Sequence, residues 1–186
     1  MKKYLASLSV VHLMLCSSIS LAADDAFLVE IDPLTYVQEG YSLHLRYHTD
    51  PWTLGVGTYA IDLPLVLVEL NDRNEGWQDK IDSAYVFFLD YHLSREKNTW
   101  LVGLEITTQS HEVKFENQTA SFDAVAYLTR VGYHYEPFDN GLYLFPWVGV
   151  GYTNILSGSP SLASGDETFD LKNVTSFATL HVGYRF

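Results

Sequence analysis

The chain has 186 residues, a net charge of −12 from 11 Lys+Arg against 23 Asp+Glu, 47% apolar residues and 15% aromatics. That length suits one domain, and the acidic balance excludes unassisted nucleic-acid binding, because neutralising phosphates needs a surplus of Lys and Arg. No apolar run of about 18 residues follows the N-terminal segment, which excludes a helical membrane protein, and the aromatic content excludes disorder.

The first residues read as a processing signal. Lys2 and Lys3 form a charged region, residues 5–16 an apolar one, and Leu21-Ala22-Ala23 ends on small residues. Cleavage is expected after Ala23, giving a signal peptide at 1–23 and a domain at 24–186. Lipoprotein processing at Cys16 is disfavoured by Leu15, where a small residue is expected. The processed chain would hold no cysteine, which suits export through an oxidising compartment without a disulfide.

From there the signal is period two. A short first strand is expected near 27–34, with poor alternation around Asp32 and Pro33. In 41–48 Tyr41, Leu43, Leu45 and Tyr47 alternate with Ser42, His44, Arg46 and His48, and 52–62 follows with Gly55 and Gly57 on its inner face. The greasy set Ile81, Ser83, Tyr85, Phe87, Leu89 and Tyr91 alternates with Asp82, Ala84, Val86, Phe88, Asp90 and His92. Trp100 to Thr107 and Ala124 to Tyr135 repeat the pattern, as do 142–152 and 178–186. That makes eight strands.

The connections alternate in kind. Those at 49–51, 94–99 and 136–141 are tight, whereas 63–79, 117–121 and 154–173 are read as the other rim's loops, mostly longer and acidic. Short turns on one rim and longer loops on the other is the asymmetry of an outer-membrane barrel. Tyr47, Trp52, Tyr91, Trp100, Tyr133, Tyr135, Tyr184 and Phe186 gather on the greasy face beside the short turns, as an interfacial girdle would. Since a spanning strand needs about 9–11 residues, the expected fold is all-β: an eight-stranded antiparallel transmembrane up-and-down barrel.

In Leu180-His181-Val182-Gly183-Tyr184-Arg185-Phe186 apolar residues alternate and the last is aromatic. Leu180, Val182, Tyr184 and Phe186 look like the insertion signal that the barrel assembly machinery reads, an edge strand offered to another edge. On these features the chain resembles the small eight-stranded outer-membrane barrels typified by the OmpA transmembrane domain, OmpX and OmpW. The resemblance implies the fold and a cell outer-membrane location, among lipid and lipopolysaccharide; it implies no particular activity, because one fold hosts many functions.

Function would have to show in the lumen or on the loops. The inward faces carry His44, Arg46, His48, Asp82, Asp90, His92, Glu105, Arg130, His134, His181 and Arg185, with Phe88, Tyr143, Phe145 and Trp147. A barrel of eight strands is wide enough only for side chains to fill it, so a packed core is expected, with Arg46, Asp90, Glu105, Arg130, His134 and His181 as its charge network. Glu105 and Arg130 sit at matching heights on neighbouring strands and are expected to pair. Inward Gly103, Gly132, Gly149, Gly151 and Gly183 leave room for the large side chains opposite.

Chemical readings are weaker. Lipid A deacylases carry a His and a Ser two apart on a strand, but His92-Leu93-Ser94 lies at the short-turn rim, facing the wrong leaflet. Ser110 and His111 are adjacent and point to opposite faces. His44 and His48 are too far apart along a strand for one tetrahedral metal site, and no nucleotide or zinc signature is present. No cofactor or metal is expected. The acidic loops read as solvated surface, Asp166 to Asp170 being too loose for a hard-cation site, and Leu63-Pro64-Leu65-Val66-Leu67-Val68 as a strand extension or a contact patch. The expected role is structural or surface-interacting, non-enzymatic and monomeric. The alternatives are a narrow passage for small or hydrophobic solutes and, behind it, a lipid A-modifying enzyme.

Overall fold

The computed structural model describes residues 25–69 and 71–186; the expected signal peptide lies outside the described residues. The elements are β1 (Ala26–Ile31), α1 (Pro33–Val37), β2 (Tyr41–Thr49), β3 (Trp52–Asp62), α2 (Leu65–Val68), a 3₁₀ turn (Asp72–Asn74), β4 (Trp77–His92), β5 (Thr99–Phe115), β6 (Gln118–His134), β7 (Leu142–Gly158) and β8 (Val174–Arg185). Each strand pairs antiparallel with the next, and β8 closes on β1, giving an eight-stranded up-and-down barrel. Among the described residues no helix is long and apolar enough to cross a membrane.

Alternation sets the two faces. On β2 Tyr41, Leu43 and Leu45 are exposed while Ser42, His44 and Arg46 are buried. On β5 Trp100, Val102, Leu104 and Ile106 point out, against buried Leu101, Glu105 and Thr107. At the short-turn rim the outward aromatics pair across strands: Phe27 with Tyr47 (5.2 Å between ring centroids), Trp52 with Tyr91 (4.9 Å), Trp100 with Tyr133 (5.1 Å), and, along the end of β8, Tyr184 with Phe186 (4.9 Å). An outer wall this apolar around a charged interior inverts the usual soluble arrangement.

The other rim departs from the sequence reading. Residues 117–121, read as a loop, are mostly strand: β5 and β6 run on for 17 residues each and turn at Glu116-Asn117, with Glu116 at φ +52°. Residues 77–79 likewise belong to β4 and 154–158 to β7. In β4, β5 and β6 period two continues there, but its polarity is reversed, so a search for a greasy outer face loses the strands. Beyond Ile106 the outward residues of β5 are Thr108, Ser110, Glu112 and Lys114, and the inward ones include His111 and fully buried Val113.

Two further readings are corrected. Asp82, placed in the lumen from sequence, is exposed and paired with Lys80 at 2.9 Å, because a bulge between Ile81 and Ser83 shifts the register and puts Ile81 inside. The first strand ends at Ile31 rather than Leu34: the Asp32 side chain accepts from Leu34 N–H (2.8 Å) as an N-cap, and Pro33 occupies the first helical position of α1.

The long β4–β7 wall carries a second core. The segments 63–69, 71–76 and 159–173 fold over its inner face, and Val68, Trp77, Val113, Phe122, Leu162 and Phe169 pack together there. Asn71 and Asn74 tie the two segments through Asp170, whose N–H donates to Asn74 Oδ1 at 2.9 Å. The run 63–68 is therefore not a strand extension but the lead into α2, with Val68 turned into this core and Leu65, Val66 and Leu67 exposed.

Candidate functional site

Five charged side chains from β1, β2, β4, β5 and β6 meet in mid-lumen. Arg46 reaches Glu30 through Nη1 (2.6 Å to Oε1) and Asp90 through Nη2. Arg130 grips Asp90 with two bonds, Nε to Oδ1 at 3.1 Å and Nη2 to Oδ2 at 2.8 Å, and meets Glu105 Oε2 at 3.2 Å. The result is one chain, Glu30–Arg46–Asp90–Arg130–Glu105, every member of it buried. The Phe88 ring lies under both guanidinium groups, 4.3 Å from Arg130 Cζ and 5.3 Å from Arg46 Cζ. Glycine makes room: a Cβ at Gly103 would collide with Asp90 Oδ1 and sit 3.1 Å from Arg130, and one at Gly183 would collide with Tyr143.

Of the six residues expected to form a lumen network, Arg46, Asp90, Glu105 and Arg130 are joined directly, and His181 joins through Glu30 Oε2 (3.2 Å). His134 is not part of it; it stacks on Tyr143 at 4.3 Å, on the short-turn side. Glu30 was missed, although Ala26, Leu28 and Glu30 alternate inward against Phe27, Val29 and Ile31. Ending the strand at the Asp32-Pro33 helix start would have exposed that alternation. Glu30 also accepts from the Tyr143 hydroxyl at 2.7 Å.

Glu30, His44 and His181 each bring one ligand-type atom within 4.8 Å of the others. The hydrogen bonds do not favour a metal there. Trp147 Nε1–H donates to His181 Nε2 (3.2 Å), so Nδ1 carries the proton given to Glu30, and the ring has no lone pair left for an ion. Glu30 is already held by Arg46 and Tyr143. Neither ring nitrogen of His44, at 3% exposure, makes a hydrogen bond, and its Nδ1 lies 4.0 Å from Glu30 Oε2.

The network divides the lumen. On the short-turn side a cavity of about 420 Å³ is bounded by His48, His92, His134, Glu136 and Arg185. On the loop side one of about 440 Å³ reaches down to His44, Phe88, Glu105 and His181. They share no lining residue, and Glu30, Arg46, Asp90 and Arg130 line neither. In the loop-side cavity His111 meets Asp79 Oδ1 at 2.9 Å and Gln109 Oε1 at 3.3 Å, and its ring lies flat on Phe122, centroids 4.7 Å apart. Both its nitrogens are thus engaged by side chains other than a hydroxyl nucleophile, and Ser110 beside it points outward to Asp123 (2.8 Å).

No family model matches the chain, and no curated protein does. Among solved structures it resembles a major outer membrane protein from Thermus thermophilus, with 17% identity over 87% of this chain and 99% of that one and a TM-score of 0.50. The fold is that of an outer-membrane barrel. Neisserial surface protein A is also similar, at 13% identity over 87% of this chain and 91% of that one, with a TM-score of 0.47. At such identities the likeness is one of fold alone.

Proposed function

We propose that this chain is a monomeric outer-membrane protein, closed to conduction and without catalysis, whose work is done at the outer face as a structural or surface-interaction protein. The observation that carries the reading is the buried Glu30–Arg46–Asp90–Arg130–Glu105 chain, which crosses the lumen between two cavities that share no lining residue. The apolar outer wall and its aromatic rim support the location, as does the fold shared with a barrel described as a major outer membrane protein. Lipid and lipopolysaccharide surround it, and the barrel assembly machinery inserts it through the outward residues Leu180, Val182, Tyr184 and Phe186. The exposed Leu65, Val66 and Leu67 of α2 are the apolar contact surface of the outer face.

The direct test is conductance of the refolded protein across a planar bilayer, after its migration has been shown to differ between boiled and unboiled samples. Silence is the expected result. Steady openings that change when Arg130 or Glu105 is replaced by alanine would overturn the reading in favour of a solute passage.

A further inference from the structure

The barrel wall is incomplete on one side. β1 has six residues, about 20 Å at ~3.3 Å per residue, whereas a strand tilted by ~40° needs roughly 33 Å to cross an apolar belt ~25 Å tall. β1 leaves β8 at the pair Ile31–Val182, so residues 174–181 of β8 have no strand beside them on that edge. α1 fills the lower part of the gap, where Thr179 Oγ1–H donates to Asp32 Oδ2 at 2.6 Å. Its Leu34, Tyr36 and Val37 are exposed and continue the apolar belt where β1 stops. Higher up, among the described residues, no strand lies beside β8 on this edge, and Thr175 and Phe177, which share the inward parity of Thr179 and His181, are exposed, Phe177 at 40% with Trp147 on one side of it at 5.5 Å. A window therefore opens between α1 and upper β8. Thr35 on one side of it and Phe177 on the other both line the loop-side cavity.

That cavity has the size of a small-molecule site, pockets of this kind running from about 300 to 1,000 Å³. Its apolar walls include Ile61, Ile81, Val86, Phe88 and Phe169, and Asp170 and Lys172 also line it. The charged groups at its foot already have partners: Glu105 has Arg130, Asp79 has His111, and Asp32 has Thr179 and the Leu34 N–H. His44 makes no hydrogen bond, its Nδ1 standing 4.0 Å from Glu30 Oε2, and a neutral imidazole offers one donor and one acceptor. A hydroxyl or carbonyl matches that offer.

We propose that the loop-side cavity binds a single-chain amphiphile with an uncharged hydroxyl or carbonyl head, which enters sideways through the α1–β8 window from the outer leaflet and places its polar end against His44. The proposal goes beyond the closed-barrel reading and rests on it only for the closed floor. The test uses 11-bromoundecan-1-ol, whose bromine quenches indole fluorescence, with the folded protein in lipid nanodiscs. A Trp52→Phe/Trp100→Phe background removes the two lipid-facing indoles and leaves Trp147 at the cavity and Trp77 in the upper core. Saturable quenching is expected. Binding should weaken at least tenfold in Ala126→Phe, which fills the cavity, and in His44→Phe, which removes the polar partner, and 11-bromoundecanoate should bind at least tenfold less tightly than the alcohol. If Ala126→Phe does not fold, Thr153→Leu narrows the same space.

Non-saturating quenching, or quenching unchanged in the filled variant, overturns the site. Equal binding of the carboxylate or of His44→Phe overturns the head-group assignment. A protein that binds saturably yet conducts would break the closed-floor reading alone, and a silent protein without saturable binding would break this proposal alone.

Discussion

The same strands obey opposite rules at their two ends. In the lower part of β5 and β6 the outward residues are Trp100, Val102, Leu104, Tyr127 and Val131 and the inward ones Glu105, Thr107 and Arg130. In the upper part the outward residues are Glu112, Lys114, Thr119 and Ser121, and the inward ones Val113, Ala120 and Phe122. The β5–β6 register runs unbroken across the boundary; the solvent differs on its two sides. Below, lipid contacts the outside and charges must find one another within; above, water contacts the outside and hydrophobic burial holds the loops against the wall. Each half is stabilised by what would destabilise the other.

The sharpest way to break the lower half is to unpair its charges. Arg130→Ala leaves Asp90 and Glu105 buried without their shared cation, and breaking such a pair costs about 3–5 kcal/mol. The expected result is a large fall in the urea concentration at which the heat-modifiable form is lost; an unchanged midpoint would mean that water reaches the network. Trp77→Ala attacks the upper half at a comparable local cost of about 3–5 kcal/mol, but the damage should stay local. Protease cleavage within 63–76 and 159–173 should rise while the barrel still migrates as folded. Loss of both together would show the two halves to be one cooperative unit.

A smaller effect compares one face of one strand. Leu104→Arg places a cation on the lipid face and should cost about 2–4 kcal/mol, while Glu112→Arg, higher on the same outward face, should stay within about 0.5 kcal/mol. Equal costs at the two positions would erase the boundary. The smallest effect lies in the short turns, where Lys97 donates to Asp139 Oδ1 at 2.8 Å and to the Phe138 carbonyl at 2.9 Å. Lys97 holds the Asp139 carboxyl below its usual value. That pairing stabilises the fold above the ordinary carboxylate range and is lost as pH falls through the lowered value, and in full solvent it is worth little. Lys97→Met should move the Asp139 titration upward, as read by NMR, with stability at pH 7 unchanged.

The lower half was legible because its pattern has a strong contrast at period two: Tyr41, Leu43, Leu45 against Ser42, His44, Arg46 shows one wall and one lumen at a glance. Arg46, Asp90, Glu105 and Arg130 followed from that parity alone. What parity could not give was Glu30, hidden in a strand too short to show its period before a capped helix begins, or Asp82, displaced by a bulge that leaves no sequence mark. The upper half was missed for a different reason. Its alternation is present, but Glu112-Val113-Lys114 read against a membrane pattern looks like the end of a strand, and the hairpin at Glu116-Asn117 lacks glycine. Phe169 gave no hint from sequence of packing on Trp77, a contact between residues far apart in the chain that only the closed barrel brings to 5.6 Å.

The central claim is that polarity reverses partway along β5 and β6, and a spin-label scan reads it most directly. Nitroxides placed singly at Val102, Leu104, Ile106, Thr108, Ser110, Glu112 and Lys114 of β5, in a Cys16→Ser background in lipid bilayers, report their exposure to oxygen and to a water-soluble nickel complex. The account predicts high oxygen and low nickel access through Ile106, a crossover near Thr108 and Ser110, and high nickel access at Glu112 and Lys114. Uniform access to either agent along the whole series would contradict it.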